Sequence, residues 1–356
     1  MYKKIKIENF RGISSLELND TRQFNLFMGK NSCGKTSLLE SIFLLSGPTN
    51  AKLPLSINGF RGIIFDSDYS WRILFYNLDS QTPIRLYGVL SKTGEKRELI
   101  IKPLYEGNLT TSPDFPDLTI KDNHTIPSSK INGLSMKCSI HRNSNKEPLS
   151  FDSEISIGKE GVFNIGSPKD FLYLIPAQFI SPATSDVQLA KQFSEIQIKK
   201  EEKNILKVLQ KVEPQLANLS MGAENILYCD VGLKHRLPLN VIGEGVKKIL
   251  TIILSIYNMS GGVILIDEIE NGLHYSIQEI LWEAIFEAAI AFNVQVFAAT
   301  HSYENIKSFS AAYEKSGDRD DKLRLFRMES EKDKVRVIDF DHKAIDMAIK
   351  KNWEVR

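Results

Sequence analysis

The stretch that most constrains this chain is residues 24–44, FNLFMGKNSCGKTSLLESIFL. An apolar run (Phe24, Leu26, Phe27, Met28) stops at Gly29. Gly29-Lys30-Asn31-Ser32-Cys33-Gly34-Lys35-Thr36 follows, and Ser37 leads into an amphipathic helical pattern through Leu38, Leu39, Ile42 and Phe43. Strand, G-x-x-x-x-G-K-[ST], helix is a phosphate-binding loop in the context it requires. Glycines let backbone N–H groups of Lys30 to Ser37 turn inward, and the helix N-terminus adds partial positive charge. In such a loop Lys35 reaches the β- and γ-phosphates and Thr36 offers its hydroxyl to Mg²⁺. The stretch implies an α/β P-loop fold that binds a nucleoside triphosphate, ATP being the natural expectation.

Composition excludes more than it proposes. The 356 residues allow two domains or one large one with lobes, and 42% hydrophobic with 25% charged residues is ordinary for a globular protein. Lys+Arg 45 against Asp+Glu 44 leaves a net charge of +1, so nothing in the balance announces a nucleic-acid or membrane surface; a local patch stays open. Cys33, Cys138 and Cys229 form neither a disulfide framework nor a metal quartet, and Cys33 reads as a small residue inside the loop. The opening MYKKIKIENF is a strand pattern and not a signal peptide. No apolar run approaches the roughly 18 residues of a membrane helix, so the expectation is a cytoplasmic protein without membrane contact.

Alternation at Ile5 and Ile7, resumed at Leu16 and Leu18, predicts a hairpin leading into the P-loop strand. Residues 50–65 read as loop because of Pro54 and Gly59, and they carry a second Phe60-Arg61-Gly62 after Phe10-Arg11-Gly12, too short a match to be a repeat. Short β-type runs dominate 71–165: Ile84–Leu90, Glu98–Ile101, Leu134–Ile140 and Phe151–Ile157. The polar stretch 106–132 reads as a surface excursion; its Asn108-Leu109-Thr110 carries no weight in a cytoplasmic chain. A strand at Phe171–Ile175 is predicted to run into Pro176-Ala177-Gln178, followed by a helix over 186–218 with a solvated charged run at Lys199–Lys203. Residues 225–239 read as a hairpin, Val246–Tyr257 as a helix, Val263–Ile266 and Val294–Ala299 as buried strands, 277–292 as a helix, and the tail as a hairpin and short helix. Three segments result: 1–182, the P-loop lobe with a β-rich extension; 183–222, a helical insertion; and 223–356, a second lobe.

That second lobe supplies the remaining chemistry. Val263-Ile264-Leu265-Ile266-Asp267-Glu268 is a Walker B pattern: Asp267, at the end of a strand expected beside the P-loop strand, holds Mg²⁺, and Glu268 polarises the attacking water. An Asp-Glu pair argues for hydrolysis. His301, after its own buried strand, can hydrogen-bond the γ-phosphate and sense its loss. Gln178, expected after a strand, can touch metal and water. Gly243-Glu244-Gly245 opens an apolar helix and forms an anion site with no phosphate of its own, which suggests that it serves a second molecule's nucleotide.

Walker A, a Q-loop candidate, a signature-like G-E-G, Walker B with Glu and a switch histidine come in the order of ABC-type ATPases. Ile7-Glu8-Asn9-Phe10-Arg11-Gly12 with Asn25–Gly29 resembles the SMC/RecF/OLD branch. Asp267-Glu268-Ile269-Glu270-Asn271-Gly272-Leu273-His274, Gly243-Glu244-Gly245-Val246-Lys247-Lys248 and the closing Glu354-Val355-Arg356 look most like OLD-type ATPases. The resemblance covers most of the chain and is weakest over 70–165. It implies a two-lobed, SMC-head-like ATPase that forms a homodimer or higher oligomer around two ATPs. Each site would pair Lys35, Thr36, Gln178, Asp267, Glu268 and His301 of one subunit with Gly243–Gly245 of the other. It also implies a separately encoded effector, a nuclease in defence against phage. Ser32 and Cys33 depart from the usual loop glycine and serine, and Gly243 stands where the ABC signature has a serine. OLD nucleases carry a C-terminal TOPRIM domain, for which residues 302–356 are too few; Asp339-x-Asp341 reads as a strand end. A RecF-like clamp on DNA is the second reading; a transporter subunit lacks its LSGGQ signature here, and a small-molecule kinase would leave the signature-like turn and His301 without a role.

Overall fold

The computed structural model describes residues 1–65, 67–106, 130–142, 147–158, 161–181, 186–222, 225–317, 320–331 and 334–351. The 108–110 triplet, most of the 106–132 excursion and the closing 354–356 lie outside these residues.

The chain opens with β1 (Tyr2–Phe10), β2 (Ile13–Leu18) and β3 (Phe24–Met28), then α1 (Lys35–Ser46), α2 (Leu53–Gly59) and α3 (Asp68–Arg72). Five strands follow: β4 (Ile84–Leu90), β5 (Lys96–Tyr105), β6 (Ile131–His141), β7 (Leu149–Ile157) and β8 (Phe163–Gly166). Next come β9 (Ala177–Ile180), α4 (Asp186–Lys199), α5 (Glu202–Gln210), β10 (Asn218–Met221), β11 (Leu227–Asp230), β12 (Leu237–Pro238) and α6 (Leu239–Ile242). The last part holds α7 (Glu244–Asn258), β13 (Val263–Ile266), α8 (Tyr275–Ala291), β14 (Gln295–Thr300), α9 (Tyr303–Ser316), β15 (Leu323–Glu331), β16 (Lys334–Phe340) and α10 (His342–Lys350).

Two large sheets enclose α1. The seven-stranded sheet, ordered β2-β1-β4-β5-β6-β7-β8, is antiparallel throughout. The six-stranded sheet, ordered β16-β15-β3-β14-β13-β9, is parallel except at its β15–β16 hairpin. The continuous apolar runs of β3, β13 and β14 now have their reason. Phe24, Leu26, Ile264, Ile266, Val296 and Ala298 face the core beneath α7, α8 and α9. Phe27, Val263, Leu265, Phe297 and Ala299 face α1 and the other sheet. With side chains alternating at period two and both faces covered, no polar face remains. α1, read as amphipathic, is buried on almost every side for the same reason; its buried Ser41 and Ser46 hydroxyls donate to the carbonyls of Leu38 and Ile42.

Several expectations are corrected by packing. Residues 53–59 are helical: Pro54 sits in the first turn, where its missing N–H costs nothing, and Gly59 is the last residue. Phe171–Ile175 is not a strand; the strand begins after Pro176, at Ala177, while Phe171 and Tyr173 pack on Phe151. The helix over 186–218 breaks into α4 and α5 at Lys200, which adopts φ 59, and β10 begins at Asn218. β10 joins the expected 225–239 hairpin to make a three-stranded sheet. The Walker B strand β13 is not beside β3: β14 lies between them.

Candidate nucleotide site

The parallel strands β3, β14 and β13 end at one edge, so Gly29, His301 and Asp267 emerge on the same side. There the first turn of α1 borders a cavity of about 520 Å³. Asn31, Ser32, Gly34, Lys35, Thr36, Ser37, Asp267, Glu268 and His301 all line it.

Backbone conformation shapes the loop. Gly29 has φ 154, and a side chain there would collide with the Met328 carbonyl and with Cys33 Sγ at 2.7 Å. Gly34, at φ 96, starts α1 as its N-cap, and Ser32 takes φ 65 where glycine is usual. The Ser32 substitution therefore keeps the left-handed turn. Buried Cys33 fills the loop's underside. Lys35 Nζ donates to the carbonyls of Gly29 at 2.7 Å and Lys30 at 3.0 Å, so its ammonium lies folded over the loop it serves.

Thr36 Oγ donates to Asp267 Oδ2 at 2.8 Å, spanning the intervening β14. Burial holds the Asp267 carboxyl above the usual carboxylate range, against the pull of the Thr36 hydrogen bond. A desolvated carboxylate answered chiefly by a hydroxyl is a site that a hard divalent cation completes, and the residue pair fits Mg²⁺. Glu268 follows in a left-handed conformation, φ 46, unusual for a non-glycine residue and costing about 1–3 kcal/mol. The kink turns Glu268 into the exposed mouth of the cavity, and Asn271 N–H closes the turn on its carbonyl at 2.9 Å.

His301 is anchored by a residue outside the sequence-predicted set. Buried Glu270 accepts from His301 N at 2.8 Å and pairs with Nδ1 at 2.9 Å, while the ring remains half exposed at the cavity wall. A carboxylate partner makes Nδ1 the proton-bearing nitrogen and leaves Nε2 for the site.

Two arginines were also missed. The second Phe-Arg-Gly, like the first, proves to mark the cavity: Arg11 and Arg61 both line it and converge on buried Glu40 of α1. Arg11 Nε approaches Glu40 Oε2 at 2.6 Å, and Arg61 grips both oxygens at 2.7 and 3.0 Å. Arg11 also donates to Asn58 Oδ1 at 2.8 Å, which draws α2 into the site. Burial pulls the Arg11 guanidinium down to about 10 against the attraction of Glu40. Two guanidiniums on one carboxylate leave excess positive charge beside the phosphate loop. Glu40→Ala strands the buried Arg11 charge and is expected to cost about 3–5 kcal/mol of stability, measured by urea unfolding; an unchanged midpoint would show the network to be ornamental. Across the cavity, Ile73, Phe75 and Leu78 give an apolar wall suited to a base ring. Nothing in the 71–165 strand pattern signalled it.

Two expected groups lie elsewhere. Gln178 is inside β9, not after it, and is buried with its Oε1 accepting from Gln192 at 3.0 Å; it does not line the cavity. The residue that does follow β9 is Ser181, beside Asp267 in a second cavity. Gly243 precedes α7 at φ 147 with open space where a side chain would project, Glu244 opens the helix, and a side chain at Gly245 would meet Leu273 at 3.5 Å. None of the three lines the nucleotide cavity of its own chain. Lys248, one turn on, donates to the carbonyls of Glu268 and Asn271, both at 2.7 Å, and burial pushes its ammonium down to about 8. Elsewhere, His274 caps α8 and Asp341 caps α10 through Ala344 N–H at 2.8 Å, in keeping with the strand-end reading of Asp339-x-Asp341. Burial raises the Cys138 and Cys229 thiols to about 12 and about 11, leaving them inert. No helix among the described residues is long and apolar enough to cross a membrane.

Comparison with known proteins bears on family and fold. An "ATP/GTP phosphatase" of Helicobacter pylori is 24% identical over 338 residues, 86% of this chain and 87% of the relative. A DNA replication and repair protein RecF of Geotalea uraniireducens is 48% identical, but over 50 residues only, 14% of either chain. In fold, the chain matches an SMC head crystallised with the C-winged-helix domain of ScpA (TM-score 0.52, 11% identity, 98% of this chain and 99% of that one). It matches a Pyrococcus furiosus SMC head bound to the C-terminal domain of ScpA at TM-score 0.50, with 9% identity over 99% of both chains. The profile of the family described as "AAA domain, putative AbiEii toxin, Type IV TA system" matches residues 24–306. That span is well over half of the 356 residues, and the chain belongs to this family of P-loop ATPases.

Proposed function

We propose that the chain binds Mg-ATP in the 520 Å³ cavity and hydrolyses it, in a dimer whose signature-like turns each close the other subunit's site. The observation that carries the reading is the 2.8 Å Thr36–Asp267 bond, which brings the two metal-binding motifs together with Lys35, Glu268 and His301 on one cavity. Lys35 and the loop N–H groups hold the phosphates, with Arg11 and Arg61 adding charge. Glu268 takes the proton of the attacking water, and His301, aimed by Glu270, reads the γ-phosphate. Bound Mg²⁺ supplies neutralisation of phosphate charge through Thr36 and Asp267. Gly243–Glu244–Gly245, at the start of α7 with Glu244 exposed and open space beside Gly243, and away from its own cavity, suits a partner's nucleotide. The location we infer is cytoplasmic.

Downstream of hydrolysis we assign a separately encoded effector, a nuclease of phage defence. Support comes from the OLD-like motifs around Asp267 and Gly243 and from a family description that names a type IV TA system. The RecF similarity supports a second reading, an ATP-dependent clamp on DNA.

Light scattering of Glu268→Gln protein tests the assembly. The mass is expected to double on addition of Mg-ATP; a monomer under both conditions would sink the shared-site dimer. The same ATP-loaded protein, used as bait in its host, is expected to retain a nuclease. DNA binding that appears only with ATP and falls steeply with salt would instead favour the clamp.

A further inference from the structure

We propose that Lys248 is a positioning residue for hydrolysis: from α7 it pins the turn 268–271 and so makes the placement of Glu268 depend on where the signature-bearing helix stands. The inference rests on the reading of Glu268 as the base.

Three observations carry it. The Lys248 ammonium donates to two carbonyls of one turn, those of Glu268 and Asn271, both at 2.7 Å. That turn begins with a left-handed Glu268, φ 46, a conformation that the neighbouring structure must hold because the residue does not favour it. The contact also belongs to a continuous seam. A side chain at Gly245 would meet Leu273 at 3.5 Å, and one at Gly272 would meet Glu244 at 3.6 Å. Residues 244, 245 and 248 fall on one helical face, so the first turns of α7 meet 268–273 as a unit. A second cavity of about 300 Å³, bordered by Ser181, Lys247, Thr251 and Asp267, lies alongside this seam.

The other end of the helix turn faces outward. Gly243 has open space at its Cβ position, while Val246, Ile249, Leu250 and Ile253 bury the opposite face of α7 in the core. A ligand that draws on residues 243–245 therefore moves a stiff element whose next turn holds the catalytic turn by two hydrogen bonds. The same turn carries Glu270, the carboxylate that meets His301. Occupancy of the partner's site is thereby transmitted to chemistry in this one.

The experiment compares Lys248→Met, Glu268→Gln and the double variant in the full chain, measuring kcat with Mg-ATP and equilibrium binding of a fluorescent ATP analogue. Lys248→Met is expected to lower kcat about 100-fold, the usual cost of a misplaced reacting group, with Kd changed by less than about threefold. Added to Glu268→Gln it is expected to cost nothing further, since it acts through the carboxylate already removed. A wild-type kcat, or losses that multiply in the double variant, overturns the proposal. If Glu268→Gln alone retains turnover, the base assignment fails instead, which is a separate result. Should Lys248→Met not fold, Lys248→Arg decides: a fall in kcat of about tenfold at unchanged Kd supports the role, and an unchanged kcat overturns it.

Discussion

Glu268→Gln is expected to bind Mg-ATP as the unsubstituted chain does and to hydrolyse it about 10²–10⁴-fold more slowly. Asp267 and Glu268 are adjacent carboxylates with different surroundings. Asp267 is partly buried and bonded to Thr36, in keeping with the metal role proposed for it, whereas Glu268 stands exposed in the cavity after a left-handed kink. The amide keeps the size of the side chain and the same backbone demand, so loop and phosphate contacts survive; what it cannot do is take a proton from water. The loss corresponds to about 3–5 kcal/mol in the barrier. Single-turnover phosphate release with enzyme in excess, beside a binding titration, separates the two effects. Release at the normal rate would remove Glu268 from the base role and with it the Walker B assignment.

Lys35→Ala acts on the other half of the site and is expected to abolish nucleotide binding in the micromolar range. Charge-assisted hydrogen bonds are worth about 1.5–3 kcal/mol each, roughly 10–150-fold in Kd for every phosphate bond lost. The fold should not suffer. Lys35 Nζ bonds within its own loop, to the carbonyls of Gly29 and Lys30 and to Cys33 Sγ. A titration calorimeter reads the lost affinity, and an unchanged melting curve shows that the loop still forms. Wild-type affinity in this variant would mean that the phosphates lie somewhere other than over α1.

Much of the site was legible because its parts are local. The Gly29–Thr36 loop, the Asp267-Glu268 pair and His301 each close a short apolar run, and sheet strands end where their apolar runs end. The hydrophobic pattern also marked β3, β13, β14 and β4 to β7, though not β8, β9 or β10, and the motif resemblance gave the SMC-head-like fold that the structural comparison shows. Where the pattern failed, a long-range contact had overruled it. Gln178 was read as following its strand, yet the strand starts only after Pro176 and carries Gln178 within it, against Gln192. The stretch 53–59 looked like loop through Pro54 and Gly59, residues that here begin and end a helix.

Residue order by itself determined the phosphate loop, the carboxylate pair and the buried strands, because each rests on backbone and hydrophobic rules acting over a few neighbours. Which side chains complete the site was decided only in three dimensions. Arg11 and Arg61, fifty positions apart, meet on Glu40 because α1 is closed between two sheets and its buried carboxylate has to be neutralised. Glu270 finds His301 because β13 and β14 are parallel neighbours, and Lys248 reaches Glu268 because α7 packs across that edge. Burying charge is tolerable only with a partner, and the partner is chosen by the fold rather than by the order of residues.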